Sequence, residues 1–429
     1  MTQASAPSLA AVTAPPRAWR IIAAASIGNA LEWFDLVVYG FFAVTISRLF
    51  FPAGDDSVSL LLTLGTFGVS FFMRPLGAIV LGVYADRAGR KAALTLSILL
   101  MMTGTLLIAV MPTHASIGVF APLGIVLARM IQGFSAGGEF GSATAFLSEH
   151  APDRRGFFAS WQAASQGLTT LLAALFGSFL TGTLSPEQMQ SWGWRIPFLF
   201  GLLIGPVAYF IRKRLDETPE FLAAEATQTP LADTFQNQKE RLVLAIGAVV
   251  VATVSSYLIL YMPTYAVKQL GIPSSAAFTA IIATGVVQLV GAPLVGAWSD
   301  THGRTGIMLG AAVLFLLLAW PAFHTLATHP TFAVMLGVQI FVGIVMVAYY
   351  GALPALLSEL FPTQTRTTGM SLGYNIAVTI FGGFAPFVIA WLISVTGNKL
   401  APSFYLMGAA AISIVALLRI RALQTQMRR

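Results

Sequence analysis

Five charged side chains stand inside long apolar runs: Glu32, Asp35, Arg74, Arg129 and Glu139. Glu32 and Asp35 are three residues apart in GNALEWFDLVVYG (28–40), so on a helix they share a face. Two carboxylates that close repel when both are ionised, which favours a proton on one of them. A carboxyl that loads and releases a proton in apolar surroundings can drive another event; Asp35 and Glu139 suit that role, with Glu32 better suited to structure. The competing use of these acids is static ion pairing with the two arginines. Arg74 and Arg129 each carry a planar fork that binds a carboxylate through two parallel hydrogen bonds. Two buried arginines against three acids leave one excess negative charge when all are ionised. Protonation makes the set neutral or positive, so an anionic ligand and a proton favour one another's binding.

The elements that must hold these charges are membrane helices. The 429 residues are 56% hydrophobic and 10% charged, with a mean hydropathy of +0.78, whereas soluble domains carry roughly 25% charged residues. Apolar runs long enough to cross a bilayer recur at roughly 20–50, 57–85, 92–112, 117–148, 155–184, 194–212, 241–268, 275–299, 305–326, 331–360, 366–396 and 402–421. The expected fold class is an all-α polytopic membrane protein, with twelve transmembrane helices in two six-helix bundles. The parts are a disordered tail (1–19), a first bundle (20–213), a linker (214–240), a second bundle (241–421) and a short tail (422–429). Residues 1–18 lack a cleavable signal pattern. At ~1.5 Å per residue, Glu32, Arg74 and Glu139 lie about 15–18 Å from one membrane face, and Arg129 about 30 Å if its helix is straight to its end.

Basic residues set the orientation. Arg87, Arg90, Lys91, Arg154, Arg155, Arg212, Lys213, Arg214, Arg419 and Arg421 fall on one side, with Arg48, Arg195, Lys268 and Lys399 opposite. Both termini are therefore expected in the cytoplasm, in a multi-pass protein of the cell inner membrane. The formal charge of +7 follows from this bias and needs no nucleic-acid partner. There are no cysteines, and the five histidines show no metal-ligand spacing, so no metal and no cofactor other than the coupling proton is expected. No nucleophile–base set points to an enzyme.

The halves repeat: GVYADRAGRK (82–91) is echoed by GAWSDTHGRT (296–305), and Ser148-Glu149 by Ser358-Glu359. The decapeptide, its position, its repeat and the helix count resemble the major facilitator superfamily across the whole chain. EWFDxxxYG (32–40), FMRPLGA (72–78), RMIQGFSAGGEFG (129–141), SEHAPDRRG (148–156), WGWRIPF (192–198) and DETPEF (216–221) are similar to its metabolite:proton symporters. SWQAASQ (160–166) and YMPTY (261–265) look most like the citrate and tricarballylate members.

The resemblance implies proton-coupled import of a small organic anion by alternating access, most like a di- or tricarboxylate. Other organic acids (2-oxoglutarate, shikimate) or a zwitterionic osmolyte (proline, betaine) are the alternatives within the family, and a transporter-like sensor is one outside it. The short final tail argues against the osmolyte carriers. Candidate substrate contacts are Arg129, Arg74, Gln132, Gln162, Gln166, Tyr261, Tyr349 and Asn375. The resemblance further implies a conformational latch at Asp86, Arg87 and Arg90, in which the aspartate meets a helix end of the other half. Asp300 and Arg304 form its second copy, expected to be weaker because Thr301, His302 and Thr305 depart from the pattern. Glycines spaced by four (133/137/141, 201/205, 306/310, 369/373) are expected to permit close helix packing. A monomer is expected.

Overall fold

The computed structural model describes residues 16–88, 90–137, 140, 143–144, 147–148, 152–213, 234, 236–362 and 365–427. In lipid every backbone polar group must be satisfied within its own segment, and these apolar runs accordingly fold as helices. We label the spans α1 (Pro16–Phe41), α2 (Asp56–Ala88), α3 (Arg90–Val110), α4 (Phe120–Ala136), α5 (Arg155–Thr183) and α6 (Arg195–Lys213), then α7 (Lys239–Leu270), α8 (Ser274–His302), α9 (Arg304–Thr328), α10 (Phe332–Leu360), α11 (Arg366–Thr396) and α12 (Ala401–Met427). Among the described residues, eight helices are long and apolar enough to cross a membrane by themselves. A bent pair, Glu32–Phe41 with Ala43–Phe50, makes a ninth. The helices at Thr95–Val110 and Phe120–Ala136 are apolar but shorter.

Two features depart from the sequence reading. The first run is not one straight helix: it bends by 71° at Phe42. Gly306 and Gly310 face open space, so they are not packing glycines. The expected linker falls almost wholly outside the described residues.

Glycines at the crossing of α2 and α4 do bring backbones together. A Cβ on Gly133 would stand 1.9 Å from the Ser70 carbonyl oxygen, one on Gly137 2.1 Å from that of Arg74, and one on Gly77 1.8 Å from that of Phe134. Helices α2 and α4 therefore touch backbone to backbone along three turns. Close approach also joins the two halves at α5 and α8: Gly156 lies on Gly296 at one end, Gly167 meets the Gln288–Leu289 backbone and Gly285 that of Leu171 in the middle, and Gly177 meets the Phe278 ring at the other end. Helix ends follow ordinary chemistry, as where left-handed Gly271 (φ 68°) and Gly397 (φ 66°) close α7 and α11.

Candidate functional site

The α2–α4 contact sets the geometry of a buried polar cluster in the first half. Helix α1 presents Glu32, Asp35 and Tyr39, at i, i+3 and i+7, toward it. Helix α2 adds Phe67, Ser70, Phe71 and Arg74; α3 adds Thr105; α4 adds Arg129 and Gln132. All of the polar members are buried, and Arg129 is only 1% exposed. Glu32, Asp35, Ser70, Arg74, Arg129 and Gln132 line one small cavity with room for little more than a water molecule.

Two arrangements share this cavity. Arg74 Nη2 pairs with Glu32 Oε1 at 3.2 Å, and its guanidinium lies 4.6 Å from the Phe71 ring centre. Arg129 has no ion pair among the described residues. Its Nη1 donates to Gln132 Oε1 at 2.8 Å and its Nη2 to Ser70 Oγ at 3.4 Å, and its Nε has no partner there. Its guanidinium lies 4.7 Å from the ring centre of Tyr39 and 5.1 Å from that of Phe67. Gln132 Nε2 in turn donates to Thr105 Oγ1 at 3.0 Å, and Thr105 donates to Asp35 Oδ2. Asp35 Oδ1 is buried with no partner among the described residues. A Cβ on Gly201 of α6 would come within 2.6 Å of it.

The second half meets this cluster through neutral groups. Asn375 donates to the Gly137 carbonyl at 3.0 Å, and Thr379 to that of Phe71 at 3.2 Å, so α11 is tied to the turns that carry Arg74. Gln166 donates to Tyr350 Oη at 3.1 Å; Tyr350 lies 3.4 Å from Tyr374 Oη, and Tyr374 stacks on Phe140. A second small cavity between the halves is lined by Trp33, Val37, Gln166, Thr170, Ser256 and Gln288, among others, with no charge.

Some expected substrate residues are not brought to the charged cavity. Gln162 spends both ends of its amide on Thr144 and the Phe140 carbonyl. Tyr349 donates to the Ala248 carbonyl at 2.6 Å, within its own half. Tyr261 is buried beside Tyr265. Glu139 lies outside the described residues, as do the side chains of Asp86, Arg87 and Arg90. The structure also adds residues that sequence reasoning missed: Tyr39, Ser70, Thr105, Gln288 and Tyr374. Only residue type marks them, and Ser59 and Thr63 on α2 have the same types yet do not line the charged cavity.

Among the described residues, contacts between the halves stand at both ends of the molecule. At the end that carries the repeated motif, Asp300 accepts from the backbone N–H groups of Gly156 (2.7 Å) and Phe157 (3.1 Å) at the start of α5. Unpaired amides and the helix dipole stabilise a carboxylate there. Arg304 bridges Asp300 at 3.0 Å and also pairs with Glu359. This second copy contacts α5 despite the residues that depart from the pattern. At the opposite end Lys268 of α7 pairs with Asp56 of α2 at 2.6 Å, and Phe278 stacks on Phe42.

Residues 21–238 match the family described as Sugar (and other) transporter, and residues 244–427 the Major Facilitator Superfamily. The chain is 39% identical over 396 residues to a citrate-proton symporter of Klebsiella pneumoniae, covering 91% of this chain and 88% of the relative. It is 33% identical over 411 residues to the proline/betaine transporter of Escherichia coli K12, covering 92% and 82%. A crystal structure of a D-xylose-proton symporter superposes with a TM-score of 0.73 at 19% identity, covering 93% of this chain and 96% of that one. Two halves of membrane helices, a repeated loop motif and these relatives lead to one assignment: the chain belongs to the major facilitator superfamily of membrane transporters.

Proposed function

We propose that the protein is a proton-coupled importer of a small organic anion, a di- or tricarboxylate of the citrate or tricarballylate kind. Arg129 carries this reading. A buried guanidinium bonded only to neutral oxygens is a cation waiting for a carboxylate, and its fork suits one. Glu32, Asp35, Arg74 and Arg129 sum to zero charge when all are ionised. A proton on Asp35 leaves the set with one net positive charge, which favours an anion. The similarity to a citrate-proton symporter supports the same reading.

The proline/betaine relative supports an osmolyte as the second reading. A quaternary ammonium needs free aromatic faces. Here Phe71 already faces Arg74, and Tyr39 and Phe67 already face Arg129, so two cations of the chain itself occupy those faces. That observation favours the anion. In this reading the basic, motif-bearing end faces the cytoplasm with both termini, and the protein works as a monomer. Neither small cavity has room for a citrate-sized ligand, so binding one requires the lining helices to move apart.

Purified protein in liposomes is expected to accumulate labelled citrate or tricarballylate under an inward proton gradient, and to lose accumulation with a protonophore. Uptake indifferent to the protonophore would reject coupling. Accumulation of betaine or proline in place of the tricarboxylates would select the second reading, and a 2-oxoglutarate or shikimate preference would move the substrate within the organic acids. Ligand binding with no transport would select a sensor.

A further inference from the structure

We propose that Thr105 is the positioning residue that ties the proton on Asp35 to the availability of Arg129. The inference rests on the reading above, but its geometry stands apart from any substrate. The Thr105 hydroxyl has one hydrogen and two acceptors in reach: Asp35 Oδ2, and the Met101 carbonyl at 3.0 Å. Its oxygen already accepts from Gln132 Nε2, and the other end of that amide accepts from Arg129. The donors therefore run in one direction, from Arg129 through Gln132 and Thr105 to the carboxylate.

That direction depends on the charge at its end. With Asp35 ionised, each donor polarises the next, and Gln132 Oε1 becomes a stronger acceptor that holds Arg129. With Asp35 protonated, the proton finds an acceptor only at Oδ2, because Oδ1 has no partner among the described residues, and the carboxyl then donates. Its hydrogen goes to Thr105 Oγ1, and the Thr105 hydrogen turns to Met101. No proton leaves the site in this exchange; one hydroxyl rotates and one acceptor becomes a donor. Gln132 then faces a hydroxyl that already accepts a second bond, its amide is less polarised, and Arg129 is released toward an incoming carboxylate. A hydrophobic residue at 105 would break the chain while leaving both charges in place.

Other charges line the same cavity. Glu32 lies on the helix of Asp35 and pairs with Arg74 of α2; Arg129 lies on α4 with the Tyr39 ring against it. Among the described residues, α6 brings Gly201 against Asp35, and α3 brings Met101 and Thr105. None of these besides Thr105 connects Asp35 to Gln132, so the switch is specific to that hydroxyl.

The test needs no substrate. Infrared difference spectra of the full-length protein between about pH 8 and about pH 5 are expected to show two linked changes. One is a protonated-carboxyl band that Asp35→Asn removes; the other is a guanidinium band that Arg129→Lys removes. In Thr105→Val the carboxyl band stays and the guanidinium change is lost; Thr105→Ser restores both. Gln132→Met, which removes the next link, gives the same uncoupling, and so serves if the valine variant does not fold. A guanidinium change of wild-type size in Thr105→Val or Gln132→Met overturns the proposal, as does the absence of an Asp35 band in the wild type. Where tricarballylate binds, acidification is expected to tighten it roughly tenfold in the wild type and by less in Thr105→Val, where the charge on Asp35 still acts on Arg129 through space but not through the hydrogen-bond chain. Failure of citrate and tricarballylate to bind would overturn the substrate assignment alone, because the spectra do not involve them.

Discussion

At the scale of single residues, the contrast between the two arginines decides most of the chemistry. Arg74 is already paired with Glu32, and Arg129 is bonded to neutral partners. Arg129→Lys replaces a planar fork with a point charge and loses the bidentate geometry. Tricarballylate affinity is expected to fall about 10- to 100-fold, equivalent to about 1.4–2.8 kcal/mol, as read by calorimetry on folded protein. Unchanged affinity would assign Arg129 to structure. Asp35→Asn keeps the hydrogen-bonding shape but removes the titrating group. It is expected to retain exchange of internal for external substrate and to lose accumulation against a gradient. Accumulation at the wild-type level would remove Asp35 from the coupling path.

At the scale of elements, the glycine contact between α2 and α4 is what brings Arg74 and Arg129 to one cavity. A methyl group on Gly133 would meet the Ser70 backbone, which cannot rotate away as a side chain would. Gly133→Ala is therefore expected to cost about 1–3 kcal/mol by overpacking and to reduce transport together with melting temperature. Gly306→Ala is the control, because nothing stands within 4 Å of its added atom. It is expected to leave both unchanged, or to raise stability slightly through helix propensity. Equal behaviour of the two variants would show that the α2–α4 contact is looser than the backbone positions indicate.

At the scale of the whole molecule, charged contacts join the halves at both ends. Asp300 caps α5 at one end, and Lys268 pairs with Asp56 at the other. Alternating access requires that only one of these release at a time. The chain has no cysteine, so single introduced thiols report accessibility without background. Lys268→Gln is expected to raise labelling of Thr170→Cys, which lines the cavity between the halves. Asp300→Asn is expected to raise labelling of Ser160→Cys, which sits under the Gly156–Gly296 contact. The exposed Lys268 pair is screened by salt, so its effect should shrink at high ionic strength, whereas the part-buried Asp300 contact should respond less. Parallel labelling changes at both thiols in each variant would contradict opposed gates.

The sequence by itself determined the membrane class, the family, the two-fold repeat and the set of charges that stand in the membrane. Each rests on a quantity written in one dimension: run length against bilayer thickness, a motif that recurs, a costly residue type in an apolar run. Only the tertiary structure decided which charge meets which. Glu32 and Arg74 are 42 positions apart, and Asp35 and Thr105 are 70 apart; such pairings depend on how closely helices approach and how they rotate. The same residue types occur on α2 with no role in the cluster, so Ser70 and Thr105 carried no mark that set them apart. Gly133 and Gly306 likewise share a four-residue spacing motif, yet one packs and the other faces open space. Spacing fixes where a small residue sits along its own helix; whether a neighbour fills the room beside it is settled only when the helices assemble.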